Sequence, residues 1–84
     1  MRVEVRLFAG LREHAGADSV VVELDDHATT ADAIAALERD VRLGALLGHV
    51  PVVLAVNRSY ATPATVLHAD DELALIPPVS GGRA

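Results

Sequence analysis

Residues 2–8 alternate between charged and apolar side chains until Phe8 breaks the pattern. Val3, Val5 and Leu7 take one face of an extended chain, while Arg2, Glu4, Arg6 and Phe8 take the other. This predicts a half-buried strand with one apolar residue, Phe8, on its wet face. Gly10 and Gly16 bracket residues 11–15, which predicts a connection with one helical turn. Residues 19–24 predict a second strand, the hairpin partner of the first. After a polar turn at 25–28, Thr29 or Thr30 suits a helix N-cap, and Asp32 stands where the first turn favours negative charge. Ile34, Leu37 and Val41 recur at helical spacing, with Glu38, Arg39 and Arg42 on other faces. The expected helix ends near Gly44 and crosses back over the sheet. Residues 52–56 are continuously apolar, as a central buried strand would be. Residues 57–60 predict a turn, Thr62-Pro63 a break, and residues 69–71 a tight polar turn into a last strand over 72–76. In that strand Leu73 and Leu75 share one face; Ala74 and Ile76 share the other.

The order is β-β-α-β-(short elements)-β. A single long helix covers one face of one mixed sheet, giving two layers. The predicted class is α+β, the β-grasp or ubiquitin-like architecture with one main crossover helix. An SH3-like barrel would not need the helix, and a ferredoxin-like fold would need two. One domain over 1–78 is expected, followed by a flexible tail over 79–84 that carries Gly81-Gly82.

The last strand runs into Pro77-Pro78-Val79-Ser80-Gly81-Gly82, with Arg83 and Ala84 beyond. Paired prolines cannot donate ladder hydrogen bonds, so they stop the strand and stiffen the exit. Paired glycines make a slim tip that a narrow site on another protein admits. A frayed terminus would account for the glycines alone. The whole string after a final strand points instead to a tail presented to a partner.

Composition narrows the field. A chain of 84 residues with 51% apolar residues supports one small core, and 2% aromatics make that core aliphatic. No cysteine is present, which excludes disulfides, thiolate metal sites and a cysteine nucleophile. The start does not resemble a signal peptide and no apolar run approaches membrane-spanning length, so the expected location is the cytoplasm and no membrane partner is expected. A net charge of -5 disfavours nucleic acid and suits a partner with a basic groove. All seven basic residues are arginine. Codon bias accounts for that, as does the avoidance of a side-chain amine near an activated terminus.

The four histidines, His14, His27, His49 and His68, are scattered and not at metal-ligand spacing. Asp70-Asp71-Glu72 reads as a solvated turn, and Ser19, Ser59 and Ser80 lack an evident base. No phosphate loop precedes a helix. No bound cofactor or metal is expected, nor catalysis by the chain alone. Phe8 and Tyr60, the only aromatics, both fall outside the core pattern, and Ile76 shares Phe8's side of the sheet. Together they suggest a docking patch; edge packing of Phe8 and an ordinary loop Tyr60 are the plainer alternatives.

Residues 7–16, Leu-Phe-Ala-Gly-Leu-Arg-Glu-His-Ala-Gly, resemble the segment after the first strand in the small subunit of molybdopterin synthase (MoaD). Ala55-Val56-Asn57 and the string from Asp70 to Gly82 are similar to that family's third-strand turn and terminal signature. The resemblance spans nearly the whole chain and places it with the MoaD/ThiS group of β-grasp sulfur carriers. It implies that an E1-like, MoeB-like enzyme uses ATP to convert the carboxylate of Gly82 to an acyl-adenylate. A persulfide-derived sulfur then replaces the adenylate and leaves a thiocarboxylate. A MoaE-like large subunit admits the tail, and two such sulfurs build the dithiolene of molybdopterin. By the same resemblance Gly81 is the slim neighbour, Phe8, Tyr60 and Ile76 form the docking surface, and Pro77, Pro78, Val79 and Ser80 also bind the partner. Gly82 is followed by Arg83-Ala84, so the expectation is that a processing protease removes them first. The alternatives are a carrier for thiamine, cysteine or siderophore synthesis, a ubiquitin-like modifier, and a β-grasp binding module that is never activated.

Overall fold

The computed structural model describes residues 1–40, 43–47 and 52–77. Strand β1 (Arg2–Leu7) buries Val3, Val5 and Leu7 and exposes Arg2, Glu4 and Arg6, as alternation requires. It is followed by helix α1 (Ala9–Ala15), strand β2 (Ser19–Glu23) and helix α2 (Thr30–Glu38). Helix α3 (Gly44–Leu47) and strands β3 (Val53–Val56), β4 (Ser59–Ala61) and β5 (Glu72–Ile76) complete the described elements. The sheet runs β2-β1-β5-β3-β4. Among the described residues only β1 and β5 pair in parallel; the other pairs are antiparallel. The architecture is the expected α+β one, a mixed sheet with helices on one face. Leu11, Ala33, Leu37 and Leu43 join Val3, Val5, Leu7, Leu73 and Leu75 in one aliphatic core.

Four expectations change in detail. The connection after β1 is a seven-residue helix, and Gly10 lies inside it; only Gly16 bounds it, as a left-handed cap with φ 72 whose N–H donates to the Arg12 carbonyl. Leu11 and Ala15, four apart, are both buried, and that packing offsets the weak helix propensity of Gly10. Phe8 is consequently the N-cap of α1 rather than the last residue of β1.

Helix α2 ends at Glu38, not near Gly44. Thr29 is its N-cap, closing a capping box with Asp32: the Asp32 carboxylate accepts from the Thr29 N–H at 2.8 Å. The buried stripe is Thr30, Ala33 and Leu37, with Ile34 half-buried beside it; Val41 lies outside the described residues. Ile34 follows Ala33 by one position, about 100° around the helix, and so falls on the flank of the stripe. Gly44 instead opens α3, and a Cβ there would collide with the Glu38 carbonyl oxygen. Only glycine allows α3 to fold back this closely on the end of α2.

The apolar run at 52–56 is not the middle of the sheet. β3 is next to the edge, and Val53 is 41% exposed. Helices cover only one face, so continuous apolarity here serves a core face and an open face at once. The predicted turn at 57–60 is shorter than expected. Asn57 and Arg58 alone turn the chain, at φ 51 and 71, and Ser59 already pairs with Val56 in the β3–β4 hairpin. Two left-handed residues match the twist of a hairpin. Among the described residues no helix is long and apolar enough to cross a membrane.

Candidate functional site

The register of the sheet determines which side chains meet on its open face. Arg6 pairs with Ala74, Ala74 with Ala55, and Ala55 with Tyr60, so these four residues form one row across four strands. The two alanines in the middle leave a depression, because their neighbours in the row carry long side chains. Phe8, Ile76, Tyr60, Arg6, Arg58 and Glu72 complete its walls. The fold therefore assembles the three residues singled out as a docking patch, Phe8, Tyr60 and Ile76, around one groove from distant parts of the chain.

Tyr60 projects from edge strand β4 and is 88% exposed. Phe8 is 37% exposed and Ile76 is half-buried. Exposing both aromatics of so aromatic-poor a chain in one concavity is unusual for a surface with no partner. The Arg6 guanidinium stands 6.0 Å from the centroid of the Phe8 ring. Its Nη1 also meets the Glu72 carboxylate at 3.4 Å. Contacts of this kind contribute under about 1 kcal/mol each at an exposed site, so they orient Phe8 more than they stabilise the fold.

β5 carries Ile76 into Pro77, which is half-buried just past the strand. Pro78, Val79, Ser80, Gly81, Gly82, Arg83 and Ala84 lie outside the described residues. The described chain thus leaves the central strand at Pro77, just past Ile76, which lines the groove.

The opposite end of β5 is held by an asparagine clamp. The Asn57 side-chain amide donates to an Asp71 carboxylate oxygen at 2.9 Å, and its carbonyl oxygen accepts from the Glu72 N–H at 3.0 Å. Asp71 also accepts from the His68 N–H at 2.8 Å. The acidic turn is therefore structural, with Asp71 closing it. Chiefly through the Asn57 hydrogen bond, with further help from His68 against partial burial, the Asp71 carboxyl titrates below its usual range. A depressed folded-state value means this stabilisation is present above the ordinary aspartate range and is lost as pH falls through the lowered value. Asn57→Gly keeps the left-handed backbone and removes only the side chain. We expect it to lower stability by about 1 kcal/mol at neutral pH. The gap from wild type should narrow in acid, and thermal melts across pH measure it.

Sequence reasoning missed Arg58, Ala55 and Ala74 as parts of the site. Arg6 was on the correct face by alternation. Arg58 could be placed only once the turn was known to be two residues long.

The family model described as the ThiS family matches residues 5–82. The chain is 40% identical to small archaeal modifier protein 1 of Haloferax volcanii, over 95% of this chain and 100% of that protein. A crystal structure of SAMP1 from that organism matches with a TM-score of 0.85 at 37% identity, covering 98% of this chain and 100% of that one. The molybdopterin synthase sulfur carrier subunit of Arabidopsis thaliana is 36% identical, over 98% of this chain and 84% of that protein. A complex of subunits 1 and 2 of the molybdopterin-converting factor from Helicobacter pylori 26695 contains a chain that matches with a TM-score of 0.70. Its identity is 28%, over 98% of this chain and 100% of that one.

Proposed function

This chain belongs to the ThiS family of small ubiquitin-like proteins, and we propose that within it the chain is the sulfur-carrying small subunit of a molybdopterin synthase. One observation carries the reading. The central strand passes the groove walled by Phe8, Tyr60 and Ile76, and the sequence then continues through Pro77 into Pro78-Val79-Ser80-Gly81-Gly82. The groove suits docking, and a glycine terminus without side chains suits a narrow reactive site. The sulfur carrier subunit of Arabidopsis and the two-subunit complex of Helicobacter support the pathway and a large-subunit partner.

The chemistry follows from the glycine terminus. A carboxylate resists nucleophiles because its negative charge is delocalised over both oxygens. Attack of a Gly82 carboxylate on the α-phosphorus of ATP, on an E1-like enzyme, gives the acyl-adenylate and releases pyrophosphate. A persulfide terminal sulfur displaces AMP, and a second thiol then cleaves the acyl disulfide, leaving a thiocarboxylate and an enzyme disulfide. The sulfur is handed on in the large subunit. The chain itself supplies docking and a tip without side chains; ATP is bound by the activating enzyme, and this use of ATP fits a cytoplasmic location.

In this sequence the Gly82 carbonyl is in a peptide bond to Arg83. Hydrolysis of that bond by a protease frees the carboxylate, so a form that continues past Gly82 is a precursor. The 40% identity to small archaeal modifier protein 1 favours a second reading, a protein modifier. That role needs the same free glycine and ends in an isopeptide bond instead of a thiocarboxylate. The mass of the chain isolated from its own host tests the two: a carrier ends at Gly82 with one oxygen replaced by sulfur.

A further inference from the structure

The chain carries a net charge of -5, yet the groove is not acidic. Its charged walls are Arg6, Arg58 and Glu72. Glu72 is already engaged by Arg6 at 3.4 Å, and among the described residues Arg58 makes no ion pair or hydrogen bond. One uncompensated guanidinium therefore stands beside the apolar walls.

The backbone at Arg58 adds an independent observation. Arg58 is the second residue of the β3–β4 turn and sits at φ 71. Glycine adopts that conformation freely and is the residue such a turn favours. Arginine there is strained, and the turn itself gains nothing from the side chain. Strain retained at an exposed residue on a binding surface points to a role outside the fold.

We propose that Arg58 sets the specificity of the groove by pairing with a carboxylate of the partner. The occupant is a segment of the large subunit that presents an acidic residue beside an aliphatic or aromatic one. The apolar side chain lies over Ala55 and Ala74 between Phe8, Ile76 and Tyr60, and the carboxylate meets the guanidinium. Docking removes water from that pair, and the planar, five-donor guanidinium suits a carboxylate better than an ammonium does. The acidic surface elsewhere would steer such a segment away, so Arg58 also selects where it lands. This inference rests on the carrier reading above.

The test is calorimetric titration of the large subunit from the same host into wild-type, Arg58→Gly and Arg58→Lys chains, each ending at Gly82, at low and physiological ionic strength. Arg58→Gly relieves the turn, so its melting temperature should equal or exceed that of wild type. Its affinity should nevertheless fall about tenfold, with a flatter salt dependence, and Arg58→Lys should restore part of the loss. Equal affinity and equal salt dependence of wild type and Arg58→Gly would overturn the assignment of Arg58 alone. Failure of the wild-type chain to bind the large subunit would overturn the carrier reading and this inference with it.

Discussion

Cut after Gly82, the chain should support ATP–pyrophosphate exchange with its cognate activating enzyme and take up sulfur; continued through Arg83 and Ala84, it should do neither. The difference is all or none because it is chemical. In the longer form the Gly82 carbonyl is an amide, and no carboxylate oxygen exists there to attack ATP. A carboxylate on a residue beyond Arg83 is displaced from the reacting position. Arg83 also brings a long cationic side chain into a channel suited to glycine. Equal activity of the two forms would show that the two residues are no barrier. Inactivity of both would remove the carrier assignment.

The second large effect concerns Phe8. Phe8→Asp should weaken binding of the large subunit by roughly 30-fold or more, the range of a central aromatic anchor. Folding should survive, for a reason specific to this position. Phe8 is the N-cap of α1, with extended backbone and no side-chain capping bond. Aspartate is a favoured N-cap and contributes on the order of 1 kcal/mol there, offsetting the apolar contact that is lost. Binding by calorimetry and melting by circular dichroism separate the outcomes. A collapsed melting temperature would make Phe8 a core residue; unchanged binding would remove the groove from the docking account.

The elements read correctly from the sequence are those whose pattern a local rule determines. Period-two alternation places Val3, Val5, Leu7, Leu73 and Leu75 in the core without reference to the rest of the chain. Side-chain capping narrows the start of α2 to Thr29 or Thr30, and the structure selects Thr29. The misreadings occur where distant contacts decide. Ending α2 at Glu38 depends on α3 packing back through Gly44, and the rank of β3 in the sheet depends on strands far away in sequence. The full length of α1 depends on burial of Leu11 and Ala15, which overrides an internal glycine.

The candidate site divides in the same way. Phe8, Tyr60 and Ile76 stood out as apolar residues that the core pattern rejects. Their convergence on one groove comes from the register of β1, β3, β4 and β5. Arg58 was hidden inside a turn whose length sequence alone did not give. The roles of Gly81 and Gly82 come from family resemblance and from the chemistry of a glycine terminus.

Whether Gly82 carries sulfur is decided by the intact mass of the chain purified from its own host. Two changes are predicted together: loss of Arg83 and Ala84, and a gain equal to the difference between one sulfur and one oxygen. Alkylation of the thioacid should then add one label at Gly82. A chain that retains Arg83 and Ala84 with no sulfur, in cells making molybdopterin, would contradict the account.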